Sequence, residues 1–185
     1  LLSRGLGDVY KRQDIDDAIS LTKTPDGGFE LGVHIADVSN YVKPGTELDN
    51  EAFSRATSVY YADQVVPMLP KQLSNGICSL NEGVLRLAFS CLMRLDKDGN
   101  LTDYRFVKSV IRSRVKGVYS EINALLAGNA DDELTGKYHE VLAQLPAMKE
   151  LYGYRARLRK ERGCMDIESG EVKPVSYTHL RAHET

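Results

Sequence analysis

The sequence predicts an α+β domain built on a largely antiparallel sheet with helices packed on it. Three observations lead there. Apolar, β-branched runs fill the chain as far as Val115, Gly-containing turn signals separate them, and from Tyr119 onward apolar residues recur at helical spacing. Strands first and helices later is the order of an α+β fold. The 185 residues suffice for one domain with a sizeable core, and 42% hydrophobic with 27% charged residues is ordinary for a globular chain.

The elements follow in order. "AISLTKT" and "FELGVHIADV" flank "PDGG", which predicts a hairpin. "GTELDNEAFSRAT" has a helix start at Thr46, with Leu48, Ala52, Phe53 and Ala56 as its apolar positions. "SVYYADQVVPMLP" returns to extended chain, broken by Pro67 and Pro70. "RLAFSCLMRL" and "LTDYRFVKSVIRSRV" flank "DKDGN" and form the clearest hairpin, with Leu87, Phe89, Cys91, Met93 and Leu95 predicted on its more deeply buried face. Helices are expected in "SEINALLAG", "DDELTGKYHEVLAQL" and "AMKELYGYRARLRKERG".

A formal net charge of −2 carries no global signature of nucleic-acid binding, so any such role must rest on local features. Cys78, Cys91 and Cys164 lack C-x-x-C spacing, which argues against a zinc site or a disulfide framework; they read as small buried residues with no disulfide partner. No apolar run approaches the length of a membrane span. The expectation is no membrane association, a cytoplasmic location and a monomer.

The opening "LLSRGLGDVYKRQ" and closing "SYTHLRAHET" resemble translated adapter sequence, and excluding them leaves 14–175 as the natural segment. Residues 1–13 are then a non-native leader and 176–185 a non-native tail. Disordered native termini are the alternative.

The chemistry-bearing stretch is "QDIDDAISL", where Asp14, Asp16 and Asp17 fall within four residues. Like charges this close need solvent, a shared proton or a cation to remain ionised. Magnesium favours carboxylate oxygens and would orient water against a phosphodiester. In a regular strand Asp14 and Asp16 share a face, so a site that includes Asp17 implies an irregular segment. An exposed turn or helix cap is the bland alternative. An EF-hand is excluded, because Ile19 and Pro25 occupy the required glycine and glutamate positions.

"DIDDAIS", "GVHIADVSNYVKPGTELDNEAFSRATSVY", "VVPMLPKQLSNGICSLNEGVLRLAFSCLM", "FVKSVIRSRVKGVYSEIN" and "RGCMDIESGEVKPV" together resemble the catalytic domain of the ribonuclease II and ribonuclease R family, nearest to ribonuclease R. The resemblance implies a processive, magnesium-dependent exoribonuclease that hydrolyses single-stranded RNA from the 3′ end to nucleoside 5′-monophosphates. It makes Asp17 a metal ligand, Asp16 the aspartate most needed for the chemical step, and Asp14 a completing member of the catalytic and metal site. The family's first aspartate lies six residues before this group and falls on Asp8, whose surrounding stretch differs from the family's. Tyr60 matches an aromatic residue that stacks on a base near the 3′ end; by periodicity alone it could equally be a strand aromatic in the core.

His34, on an apolar strand, reads as a packed core residue. Asp37 could orient the site or cap a turn. "YRARLRKERG" places Arg157 and Arg159 on a helix whose apolar stripe is Ala147, Met148, Leu151, Tyr154 and Leu158; they are candidate RNA phosphate contacts or part of a solvated charged face. The family's downstream arginine and its RNA-binding domains lie outside this sequence, so the isolated chain is expected to be weakly active or inactive. The alternative function is a non-catalytic RNA-binding or scaffold protein that retains the fold.

Overall fold

A computed structural model describes residues 14–61 and 65–165, and the backbone of 2–5. Its main sheet has six strands: β1 (Leu2–Gly5), β2 (Asp17–Lys23), β3 (Phe29–Ala36), β6 (Leu85–Leu95), β7 (Leu101–Arg112) and β8 (Val115–Val118), in the spatial order β7-β6-β3-β2-β1-β8. Every pairing is antiparallel except β1 with β8. A separate small hairpin joins β4 (Val59–Tyr60) to β5 (Val65–Val66). The sheet confirms the α+β expectation. Residues 2–5 run as a strand between β2 and β8.

Both predicted turns close as their residues require. Gly27 (φ 84°) and Gly99 (φ 81°) take the left-handed conformation that side chains disfavour. In the second turn Asp96 accepts the backbone N–H groups of Asp98 (2.9 Å) and Asn100 (2.8 Å), and the Asn100 side chain holds the Asp96 carboxyl below its usual pKa.

Thr46 caps α1 (Glu47–Arg55), accepting from the Asp49 N–H, while Asp49 accepts from the Gly45 N–H. Ala52 is buried, but Phe53, predicted to share its face, is 87% exposed. Later come α2 (Tyr119–Ala127), α3 (Asp132–Lys137) and α4 (Leu145–Glu161). The long helix expected across "DDELTGKYHEVLAQL" ends at Lys137. The chain then turns so that Tyr138 is fully buried, its hydroxyl accepting the Val118 N–H and donating to Glu121. Gln72–Ile77 forms a helical turn kinked at Gly76, whose backbone (φ −100°, ψ −105°) is non-helical; the sequence shows no helical period there.

The two sheet faces carry different layers. On one, Leu21, Phe29 and Leu95 pack under Leu151 of α4, with Ala147, Met148 and Tyr154 beside them. On the other, Ala18, Ala36, Ala88 and Ile111 pack against Ile15, Cys78 and Leu80. This corrects the reading of β6. Ala88 and Ser90 are its deeply buried residues, whereas Phe89 is 45% exposed and only Leu95 of the predicted face is buried, because α4 covers just that end. The cysteines also differ: Cys78 is buried as expected, Cys91 half-buried and Cys164 exposed. Among the described residues no helix is long and apolar enough to cross a membrane.

Candidate functional site

Asp14, Ile15 and Asp16 precede β2, which begins at Asp17. The segment is irregular, as a site containing all three aspartates requires, and Ile15 shows why. Its side chain is 4% exposed, inserted into the core beside Ala18 and Leu80. Its N–H donates to Ser79 Oγ at 3.0 Å and its carbonyl accepts the Leu80 N–H at 2.8 Å. Burying Ile15 turns the flanking side chains outward, so Asp16 is exposed and Asp14 half-buried.

Asp17 is opposed to Ile35 on β3, and the same row continues through Phe89 on β6 to Lys108 on β7. Asp17 therefore lies on the face that carries α4, with Ala18 on the other.

Tyr60 reaches this segment. Its hydroxyl lies 3.4 Å from Asp14 Oδ2, a long hydrogen bond, and the ring is 46% exposed. The β4–β5 hairpin that presents it is held by Ser58 Oγ, which accepts the Met68 N–H, and by Arg55, which donates to the Pro67 carbonyl. The core-aromatic alternative for Tyr60 is thereby set aside.

Asp37 is 4% exposed. It accepts from Ser39 Oγ at 2.6 Å and pairs with Lys108 Nζ at 3.2 Å, while its backbone N–H donates to Leu87. The Ser39 hydroxyl and, after it, Lys108 hold the carboxyl below the usual range against the opposing effect of burial. Sequence reasoning missed Lys108 and Ser79: nothing in their spacing marks them, since both partnerships are made across the fold.

His34 is structural, as expected. It is 5% exposed, with Nε2 at 3.0 Å from Ser20 Oγ, Nδ1 at 2.7 Å from Ser90 Oγ, and Ser90 in turn at 2.6 Å from Ser109 Oγ. Burial pushes its pKa down. Gly32 makes room for the ring, since a Cβ there would stand 2.6 Å from His34 Nε2.

Arg157 and Arg159 are not brought to the aspartates. Arg155, just before them on α4, donates to the Gly99 carbonyl in the β6–β7 turn, and Tyr154 packs on Phe29. Both contacts are at the end of the sheet remote from Asp17, roughly 20 Å along β2 at strand rise. Arg157 pairs with Glu161 at 3.7 Å and lies over the Tyr154 ring. Asp8 lies outside the described residues.

Among the described residues no group of three or more His, Cys, Asp or Glu side chains converges closely enough to hold a metal ion. The donor chemistry nonetheless fits a hard cation, because magnesium is commonly held by one or two carboxylates with waters and substrate phosphates completing its shell.

An α+β sheet with an acidic segment at one strand start and an exposed tyrosine beside it defines a class, and comparison supplies the family: the RNB domain model matches residues 8–184, and the chain belongs to that family. Ribonuclease R of Thermotoga maritima is 45% identical over 163 residues, covering 88% of this chain and 23% of that protein. The structure of Mycoplasma genitalium RNase R in complex with ribose methylated single-stranded RNA superposes with a TM-score of 0.83 at 32% identity, covering 96% of this chain and 27% of that one. Yeast Ssd1, a pseudonuclease, shares the fold at 18% identity and a TM-score of 0.61, covering 76% of this chain and 17% of its own. The chain thus spans about a quarter of the length of these ribonuclease R relatives.

Proposed function

We propose that the protein carrying this chain is a ribonuclease R-type exoribonuclease that degrades single-stranded RNA processively from the 3′ end to nucleoside 5′-monophosphates. It would act in the cytoplasm as a monomer. The observation that carries this reading is the Tyr60 hydroxyl 3.4 Å from Asp14, which joins a stacking-competent ring to the acidic segment in a chain of the RNB family.

In this reading the exposed Tyr60 ring stacks on a base near the 3′ end without sequence preference. Asp16, the exposed member of the segment, serves the chemical step, and Asp17 with Asp14 holds Mg2+. A bound magnesium ion would neutralise the scissile phosphate and activate water. Arg157 and Arg159 would meet RNA phosphates away from the reacting end, adding affinity without specificity. Water attacks phosphorus and the P–O3′ bond breaks, so the phosphate stays on the released nucleoside's 5′ oxygen and the shortened RNA leaves with a protonated 3′-hydroxyl.

A non-catalytic RNA-binding role, in which the exposed Tyr60 ring stacks on a base, is the second reading. Incubating labelled single-stranded RNA with the protein and magnesium separates the two. Monophosphate release that Asp16→Asn abolishes supports the enzyme, whereas a mobility shift without product supports the binder.

A further inference from the structure

We propose that Ser79 is a positioning residue for the aspartate segment: its buried hydroxyl holds the Ile15 backbone in the one conformation that turns Asp14 and Asp16 outward together. This rests on the reading of those aspartates as the metal and reaction site.

The geometry has three parts. First, Asp14-Ile15-Asp16 lies outside β2; its last residue is tied to β3 through the Asp16 carbonyl, which accepts the Ala36 N–H at 3.0 Å, while the Ile15 N–H and carbonyl are bonded away from the sheet ladder, to Ser79 Oγ (3.0 Å) and the Leu80 N–H (2.8 Å). Gripping both polar groups of the middle residue fixes the direction of its neighbours' side chains. Second, Ser79 is itself fixed from several sides. It is fully buried, its hydroxyl donates to Asn81 Oδ1 at 3.2 Å, its N–H donates to Gly76, and its carbonyl accepts Arg86 Nε at 2.9 Å. Arg86 also donates to the Gly76 carbonyl at 3.2 Å, tying the kinked turn to the same frame. Third, the bond spans 64 residues, so it is a tertiary clamp. Alanine at 79 would leave the Ile15 N–H buried without its acceptor, and the cheapest escape is for the segment to swing toward water.

The test uses the whole chain, with Mn2+ as a paramagnetic probe of the metal site. Amide signals of residues 14–17 are followed by NMR through a Mn2+ titration, and hydrogen exchange of the Ile15 amide is measured in parallel. Ser79→Ala is expected to raise the Mn2+ concentration for half-broadening about tenfold, as loss of a group that orients ligands does, and to accelerate Ile15 exchange. Ile111→Ala supplies the control, because it weakens the same core cluster without touching Ile15's backbone bonds. At temperatures where all variants are folded it should leave both readouts unchanged. Asp17→Asn separates the outcomes. If it abolishes broadening while Ser79→Ala binds like the parent chain, the positioning role is overturned and the aspartate site stands. If Asp17→Asn binds Mn2+ like the parent, or the parent shows no saturable broadening, the aspartate site fails and the inference falls with it. A shift in Ile111→Ala equal to that in Ser79→Ala reduces Ser79 to general stability and also overturns it.

Discussion

Replacing His34 by alanine tests whether the polar chain through the sheet is a structural element. The ring is buried between Ser20 (3.0 Å) and Ser90 (2.7 Å), and Ser90 passes the chain to Ser109. A neutral imidazole offers one donor and one acceptor, and the rotating hydroxyls satisfy both. Removing it costs two hydrogen bonds at about 0.5–1.5 kcal/mol each plus a cavity, or about 2–4 kcal/mol in all. That is a large part of the roughly 5–15 kcal/mol of a typical domain. Urea denaturation at neutral pH should show the loss as a lower midpoint with the slope unchanged. Acid supplies the second arm. Burial depresses the His34 pKa in the folded state, so the unfolded chain takes up its proton first. The stabilisation is complete above the unfolded value near 6.5 and is lost as pH falls below it toward the folded value. The gap between the parent and His34→Ala should therefore narrow below about pH 6.5. A neutral-pH gap under about 0.5 kcal/mol, or one that widens in acid, would mean that the His34 hydrogen bonds do not stabilise the fold.

Three further outcomes are expected. Tyr60→Ala should weaken binding of short single-stranded RNA by about 1–3 kcal/mol and change the length at which digestion stalls, while Tyr60→Phe, which keeps the ring, should retain most of the affinity; equal loss in both would point to the Asp14 bond in place of stacking. Reversing charge at Arg157 and Arg159 should lower RNA affinity and flatten its salt dependence by about 0.7 logarithmic units per lost phosphate contact, and an unchanged slope would make that end of α4 scaffold. Leu151→Ala, which opens the cluster of Leu21, Phe29 and Leu95, should destabilise by about 2–5 kcal/mol in thermal or urea unfolding. A loss under about 1 kcal/mol would mean that α4 does not seal that face.

The sequence carried the local features well. Both Gly-containing turns, the Thr46 cap and the run of α4 depend on neighbours within a few residues, so spacing and composition reveal them. It failed where the decision is tertiary. Phe89 and Cys91 alternate as a core face should, yet coverage depends on how far α4 reaches across the sheet. Phe53 has helical spacing but nothing in the described structure covers it. The helix after Asp132 breaks because burying Tyr138 outweighs continuing the pattern.

The candidate site divides the same way. The three aspartates are visible as a cluster, and the need for an irregular segment follows from strand alternation. What makes it irregular, Ser79 bonding to Ile15 across 64 residues, leaves no trace in local spacing. The pairing of Asp37 with Lys108 is equally invisible, since β3 and β7 are separated by β6. Arg157 and Arg159 show the converse: a charge run that the sequence leaves open between RNA phosphate contact and a solvated face stands at the end of the sheet remote from Asp17.

In the proposed function Asp16 serves a hydrolytic reaction at an RNA 3′ end. The measurement that bears on it most directly follows single-stranded RNA labelled at its 3′-terminal nucleotide, in a ribonuclease R-length protein carrying this segment, with and without Asp16→Asn and with and without magnesium. Magnesium-dependent release of labelled nucleoside 5′-monophosphate is expected, reduced about a hundredfold or more by the substitution while RNA binding persists. Full release by Asp16→Asn, or release without magnesium, would contradict it.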